Sequence, residues 1–140
     1  MSRSDAREIV AVLKAQPVFK DCSPSDLEDL ANHSNHTSIP KDWPLIHQET
    51  PADACYVILS GEADVVVKGE KVASITTGAV VGEAGLAGHK LRNASVTSTT
   101  PLDLLHIDAD QFAALIERRP ALKAALLSRT ADAAAATSEA

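Results

Sequence analysis

The spacing of apolar positions changes twice along the chain. Near the N-terminus it is helical. Ile9, Val12 and Leu13 form one stripe, and Leu27, Leu30 and Ala31 form another. Asp5 with Glu8 reads as the cap of the first helix. Ser23, Pro24 and Asp26 supply an N-cap, a first-turn proline and a first-turn acid for the second. From about Thr37 the pattern becomes short β-rich runs: "PLIHQ", "CYVILSG", "EADVVVK", "KVASITTG", "ASVTSTT" and "LDLLHID". Glycine, proline or small polar residues bound each run. Gly61 separates two of them, and "KGEK" (68–71) makes a hairpin turn centred on Gly69. Helix returns at Asp108, where Gln111 completes a cap signature and Phe112, Leu115 and Ile116 share a face. Pro120 starts a last helix with Leu122, Ala125 and Leu126 inward, running on into an alanine-rich second half.

This order predicts one domain over 1–140: helices about 5–32, a β-roll about 37–107 and helices about 109–137. The expected class is mainly β with flanking α-helices, built as an antiparallel β-roll or jelly roll (a double-stranded β-helix).

Composition narrows the partners. The chain has 140 residues, enough for one core, and a net charge of −6. Its largest basic cluster is Arg118-Arg119. Neutralising a phosphate backbone needs a basic stripe, so no nucleic acid is expected as a partner. An anionic membrane surface is not expected as a partner on the same ground. The N-terminus lacks the apolar run of a signal peptide, and no 18-residue apolar stretch occurs. The expected location is cytoplasmic. The Asn-x-Ser/Thr triplets at Asn32, Asn35 and Asn93 are then chance. Of the two cysteines, Cys22 and Cys55, the second lies in an apolar strand and reads as a buried thiol.

The one stretch that suggests chemistry is "VGEAGLAGHKLRNASV", residues 81–96. If a short helical turn begins at Glu83, its free N–H groups form an anion site. Gly82 and Gly85 allow close approach to the backbone. Arg92 offers a two-pronged bond to phosphate and stays charged when buried. Glu83 repels phosphate but accepts from a hydroxyl. A carboxylate for a hydroxyl and a lone cation for phosphate describe a small sugar phosphate of low charge. From spacing alone, a Glu83–Arg92 ion pair at a sheet edge fits equally well.

"GEAGL" followed by "RNASV" resembles the phosphate-binding cassette of the cyclic nucleotide-binding domain family. "VFKDCSPSDLEDLA" and "PLIHQETPADACYVILSGEADVV" extend the resemblance over nearly the whole chain, toward the sensor domain of catabolite activator proteins. The resemblance implies that Glu83 accepts from the ribose 2′-hydroxyl. Arg92 would bind the cyclic phosphate, with backbone amides of Glu83 and Ala84 and the side chain of Asn93 helping. It implies that Ile46, Val65, Val72 and Ala73 line the pocket wall, and that Thr137 and Ser138 touch the purine from a lid helix. Ala84 departs from the usual Leu or Ile, and no proline precedes Arg92.

Other chemistry is thin. His33 and His36 sit in a polar loop without partners at metal-ligand spacing, and a cupin-like centre would need a His-x-His that the chain lacks. His106 packs or faces solvent, and His89 is a loop residue near the cassette. Glu62 and Asp64 read as a solvated pair, and no nucleophile setting is recognisable. The expectation is a non-enzymatic receptor domain for cyclic AMP first and cyclic GMP second, without cofactor or metal, signalling by its C-terminal helices to an unknown protein or across a homodimer. The alternative is a docking or dimerisation module of the same fold that takes no nucleotide. The opening Met reads as a native start, and the C-terminal end as either natural or the edge of a longer protein.

Overall fold

A computed structural model describes residues 3–46, 54–82 and 94–127. The order is α1 (Arg3–Lys14), a 3-10 turn (Pro17–Phe19), α2 (Pro24–Asn32), β1 (Asn35–Ile39), β2 (Pro44–Ile46), β3 (Ala54–Ser60), β4 (Ala63–Val67), β5 (Glu70–Ile75), β6 (Val80–Val81), β7 (Ser95–Ser98), β8 (Leu102–Asp108), α3 (Ala109–Arg118) and α4 (Pro120–Leu127). All strand pairs are antiparallel. They form two four-stranded sheets, ordered β1-β8-β3-β6 and β2-β7-β4-β5.

Alternation along the central strands creates three layers. On β3, Cys55, Val57 and Leu59 join a core with the helices, while Ile58 joins a second core with the other sheet. On β8, Leu105 and Ile107 face the helices, and Leu102 and Leu104 face the second sheet. A strand with both faces covered must be apolar throughout, and "CYVIL" and "LDLLHI" nearly are. The mainly β roll with flanking helices is therefore what the chain adopts.

Local chemistry sets the element ends. Ser23 and Asp26 exchange both bonds of a capping box, at 3.1 and 2.9 Å. Asp108 and Gln111 do the same at 2.8 and 3.2 Å. Lys68 and Gly69 both have positive φ, 51° and 82°, as a tight two-residue hairpin turn demands. Gly61 (φ 98°) is required twice over, since a Cβ there would collide with the Pro101 carbonyl oxygen and the Leu102 side chain.

Three expectations need correction. Asp5 lies inside α1 and not at its cap, because the helix already starts at Arg3 and neither Gly nor Pro interrupts 3–14. His33 is the C-cap of α2 and His36 lies in β1, so the two are not in a loop. The roll accordingly starts at Asn35. β1 carries no apolar alternation because it is an exposed edge, paired among the described strands only with β8 and stabilised by its backbone ladder.

Candidate functional site

β6 belongs to the first sheet and β7 to the second. The described residues that flank the motif, Val81 and Ala94, both belong to the core between the two sheets. Gly82 adopts φ 88°, a left-handed conformation that favours glycine where β6 ends. Glu83, Ala84, Arg92 and Asn93 lie outside the described residues, as do Thr137, Ser138 and His89.

The proposed wall can be followed strand by strand. Ile46 on β2 pairs with Val96 on β7, Val96 pairs with Val65 on β4, and Val65 pairs with Ala73 on β5. Cross-strand partners share a face, so these four side chains form one row across the second sheet. Ile46, Val65 and Val96 are buried, and Ala73 packs against the same core. Val72 stands apart from them. It falls where the β4–β5 register slips between Val65 and Val66, and it is 47% exposed. Val96 was not singled out from sequence, although its place three residues after Asn93 in an alternating run is a usable signal.

The first sheet contributes an aromatic edge facing the same space. Tyr56 pairs with both Val81 and His106, and its ring meets His106 edge-on with centroids 5.4 Å apart. The Asn35 amide lies 3.5 Å from His106 Nδ1. His106 thus packs rather than standing free. Elsewhere, Asp64 pairs with Lys71 at 3.3 Å and accepts from Ser74, while Glu62 precedes β4 and is exposed. Among the described residues no three His, Cys, Asp or Glu side chains cluster as metal ligands. No helix among them is long and apolar enough to cross a membrane.

β2 is short, and its place beside β7 depends on Ser98. This fully buried residue donates its hydroxyl to the Pro40 carbonyl at 2.7 Å and accepts from the Trp43 amide at 2.8 Å. Backbone bonds from Asp42 to Ser98 and from Ser98 to Trp43 complete the tie. The row of side chains therefore begins on a strand tied down by backbone bonds to β7 and by one buried hydroxyl.

The strongest electrostatic feature among the described residues is at Asp29, which the sequence does not mark because an acid on the polar side of a helix is ordinary. Its side chain is only 9% exposed and accepts a two-pronged bond from Arg118, both distances 2.8 Å. Arg119 Nε adds a bond at 2.9 Å, and His33 Nδ1 lies 2.8 Å away. The Arg118 hydrogen bonds hold the Asp29 carboxyl well below the ordinary carboxylate value, against the opposing effect of burial, and Arg119 assists. Both guanidinium groups are raised in return, chiefly by their bonds to Asp29. Both cysteines are buried and neither is in a disulfide, and burial pushes the Cys22 thiol up.

Comparison with known proteins agrees with this fold. The profile of the cyclic nucleotide-binding domain matches residues 36–119. An uncharacterized NTE family protein of Mycobacterium tuberculosis is 29% identical over 125 residues, covering 89% of this chain and 21% of that protein. The cAMP-dependent protein kinase regulatory subunit of Yarrowia lipolytica is 31% identical over 106 residues, covering 74% and 28%. The chain thus spans between a fifth and a third of the length of these relatives. The catabolite activator protein of Thermus thermophilus superposes with a TM-score of 0.72 at 23% identity, covering 79% of this chain and 55% of that one. That likeness carries the fold. With the matched profile spanning more than half of its length and the two-sheet roll in place, the chain belongs to the cyclic nucleotide-binding domain family.

Proposed function

We propose that this chain, as a single domain over 1–140, is the receptor part of a regulatory protein and binds a cyclic nucleotide between its two sheets. Cyclic AMP is the first choice and cyclic GMP the second. One observation carries the reading. The described residues that flank the Gly-Glu and Arg-Asn motif, Val81 and Ala94, belong to the core between the two sheets that also holds the row Ile46–Val96–Val65–Ala73. The apolar side chains of the row would line the side of the pocket that meets the ring systems of a nucleotide. The charge needed for phosphate would come from Arg92, assisted by Asn93 and the amides of Glu83 and Ala84. Glu83 would accept from the ribose 2′-hydroxyl. Gly82 would let the ligand approach the backbone, and Val72 would close the outer edge of the wall. Thr137 and Ser138 would meet the purine from the C-terminal helix.

The names of the relatives favour cyclic AMP, since one is a cAMP-dependent kinase regulatory subunit. The module itself performs no catalysis in this reading. It works in the cytoplasm without cofactor, metal, nucleic acid or membrane. Binding would favour whichever placement of the helices from Ala109 onward the filled pocket prefers, by the differential affinity for that state. The signal would pass to a protein partner or a second copy.

Isothermal titration calorimetry with cyclic AMP and cyclic GMP tests this. Measurable binding of one of them is expected, with Arg92→Ala weakening it by roughly 10²–10⁴-fold, the cost of about 3–5 kcal/mol for removing a buried charge partner. Glu83→Gln should cost less, because an amide oxygen still accepts. Absence of heat with either ligand up to millimolar concentration would replace this reading with the docking module.

A further inference from the structure

Among the described strands, β1 and β6 lie at the edges of the first sheet, and β2 and β5 at the edges of the second. An edge strand offers unpaired N–H and C=O groups to any extended chain, and proteins blunt such edges with charge, proline, bulges or shortness. Three of these edges are blunted. β5 opens with Glu70 and Lys71 and slips register against β4. β2 begins at Pro44 and slips against β7. β6 has two residues. β1 differs from them. Its sequence, "NHTSI", holds no Lys, Arg, Asp, Glu or Pro, and it pairs with β8 in unbroken register from Asn35 to Ile39. Beside this edge, between α1 and the first sheet, lies a recess of about 140 Å³. Its buried lining is apolar, from Ile9 and Leu59. The charges on its lining are both negative, the exposed Glu8 and the half-buried Asp103, and no Lys or Arg among the described residues lines it. His36 of β1 completes the rim. His36 pairs with Leu105 and Ser38 with Asp103, so both β1 residues share the helix-side face. The Ser38 hydroxyl donates to Asp103 Oδ1 at 2.5 Å, which ties the edge strand to one of the two carboxylates.

From these two features we propose that β1 accepts an extended segment of a partner protein as an added strand, with a Lys or Arg of that segment laid across the recess to Glu8 and Asp103. The backbone ladder supplies affinity and the recess selects the side chain, the division of labour in strand addition. The spacing suits a long cation. Neighbouring strands lie about 4.8 Å apart, so an added strand runs about 9.6 Å from β8, a gap that Asp103 and a long side chain opposite it close between them. Ile9 and Leu59 meet the aliphatic stem of that side chain while its charged head stays at the carboxylates. A second copy of this chain is the poorer occupant, because its β1 brings no Lys or Arg and each copy carries a net charge of −6. This edge belongs to the first sheet and the apolar row to the second, so the inference goes beyond the receptor reading and stands without it.

Selection from a phage-displayed library of random peptides on the immobilised, ligand-free chain tests it. The expected result is enrichment of peptides that set β-branched or aromatic residues around one Lys or Arg. For a selected peptide, the double variant Glu8→Gln/Asp103→Asn should weaken binding roughly three- to tenfold, as two exposed or half-exposed ion pairs allow. Repeating the selection on that variant should lose the preference for a cation. His36→Lys places a charge on the edge itself and should remove binding altogether. The melting temperature of each variant checks that it folds. Should His36→Lys fail to fold, Thr37→Lys charges the same exposed strand and decides by the same criteria. Enrichment of no peptide, or of acidic or helical ones, would overturn the proposal. So would undiminished binding by the variants. Dimerisation of the chain that rises with concentration and is lost in His36→Lys, with no peptide selected, would give the edge to a second copy and overturn the partner named here.

Discussion

Ser98→Ala is the sharpest test of how the apolar row is held. Ser98 is fully buried, and its hydroxyl makes two short bonds, to the Pro40 carbonyl and from the Trp43 amide. A typical intramolecular hydrogen bond contributes a net ~1 kcal/mol, and a buried group left without a partner costs about 1–3 kcal/mol. Both partners here belong to exposed turn residues, which water can reach once the strand loosens. The low end therefore applies, and the expected loss is about 1–2 kcal/mol. For a chain of this size that lowers the melting temperature by roughly 3–6 °C. In urea, the midpoint should fall with the slope unchanged, since no surface is newly buried or exposed. Thr97→Ala, one residue away on the opposite face, is the control and should stay within about 0.5 kcal/mol. Because β2 carries Ile46, the variant should also weaken nucleotide binding in the calorimetric assay. Equal stability of Ser98→Ala and wild type would refute the reasoning, and so would a Thr97→Ala loss of the same size.

Three further outcomes are expected. Asp29 has a depressed carboxyl, so its contribution is complete above its ordinary value of 3.8 and disappears as pH falls below that toward the folded value. The stability gap between wild type and Asp29→Asn, followed by denaturant unfolding, should be widest near neutral pH and close on acidification below about pH 4; a gap independent of pH would contradict this. Gly61→Ala should lose more than about 2 kcal/mol, whereas Gly69→Ala, with positive φ but open space around it, should lose only about 1 kcal/mol by the same measurement. Ile58→Ala, which opens a cavity between the sheets, should lose about 2–5 kcal/mol by equilibrium unfolding.

Much of the architecture is legible from residue order, because it depends on local chemistry. The capping boxes at Ser23 and Asp108, the turn at Lys68-Gly69 and the break at Gly61 involve groups within a few residues of one another. The alternation on β3 and β8 marks strands covered on both sides. β1 was not legible as a strand, since "NHTSI" has no apolar face and owes its state to hydrogen bonds from β8, about 70 positions away. The motif at 82–96 was legible because a cation, a carboxylate and glycines sit close together in a β-rich setting. Residue order alone could not say that its two ends stand on opposite sheets.

By itself, then, the sequence determined the succession of helix, strand and helix, the acidic and non-basic character, and which short stretch carries charge suited to a phosphate. Tertiary structure alone decided that Ile46, Val96, Val65 and Ala73 form a single row, that Ser98 anchors the turn before β2, and that Asp29 receives both Arg118 and Arg119 from about 90 residues away. The reason is one of range. Caps, turns and periodicity act over a few residues, whereas register and buried charge pairing depend on which distant surfaces meet when the two cores form.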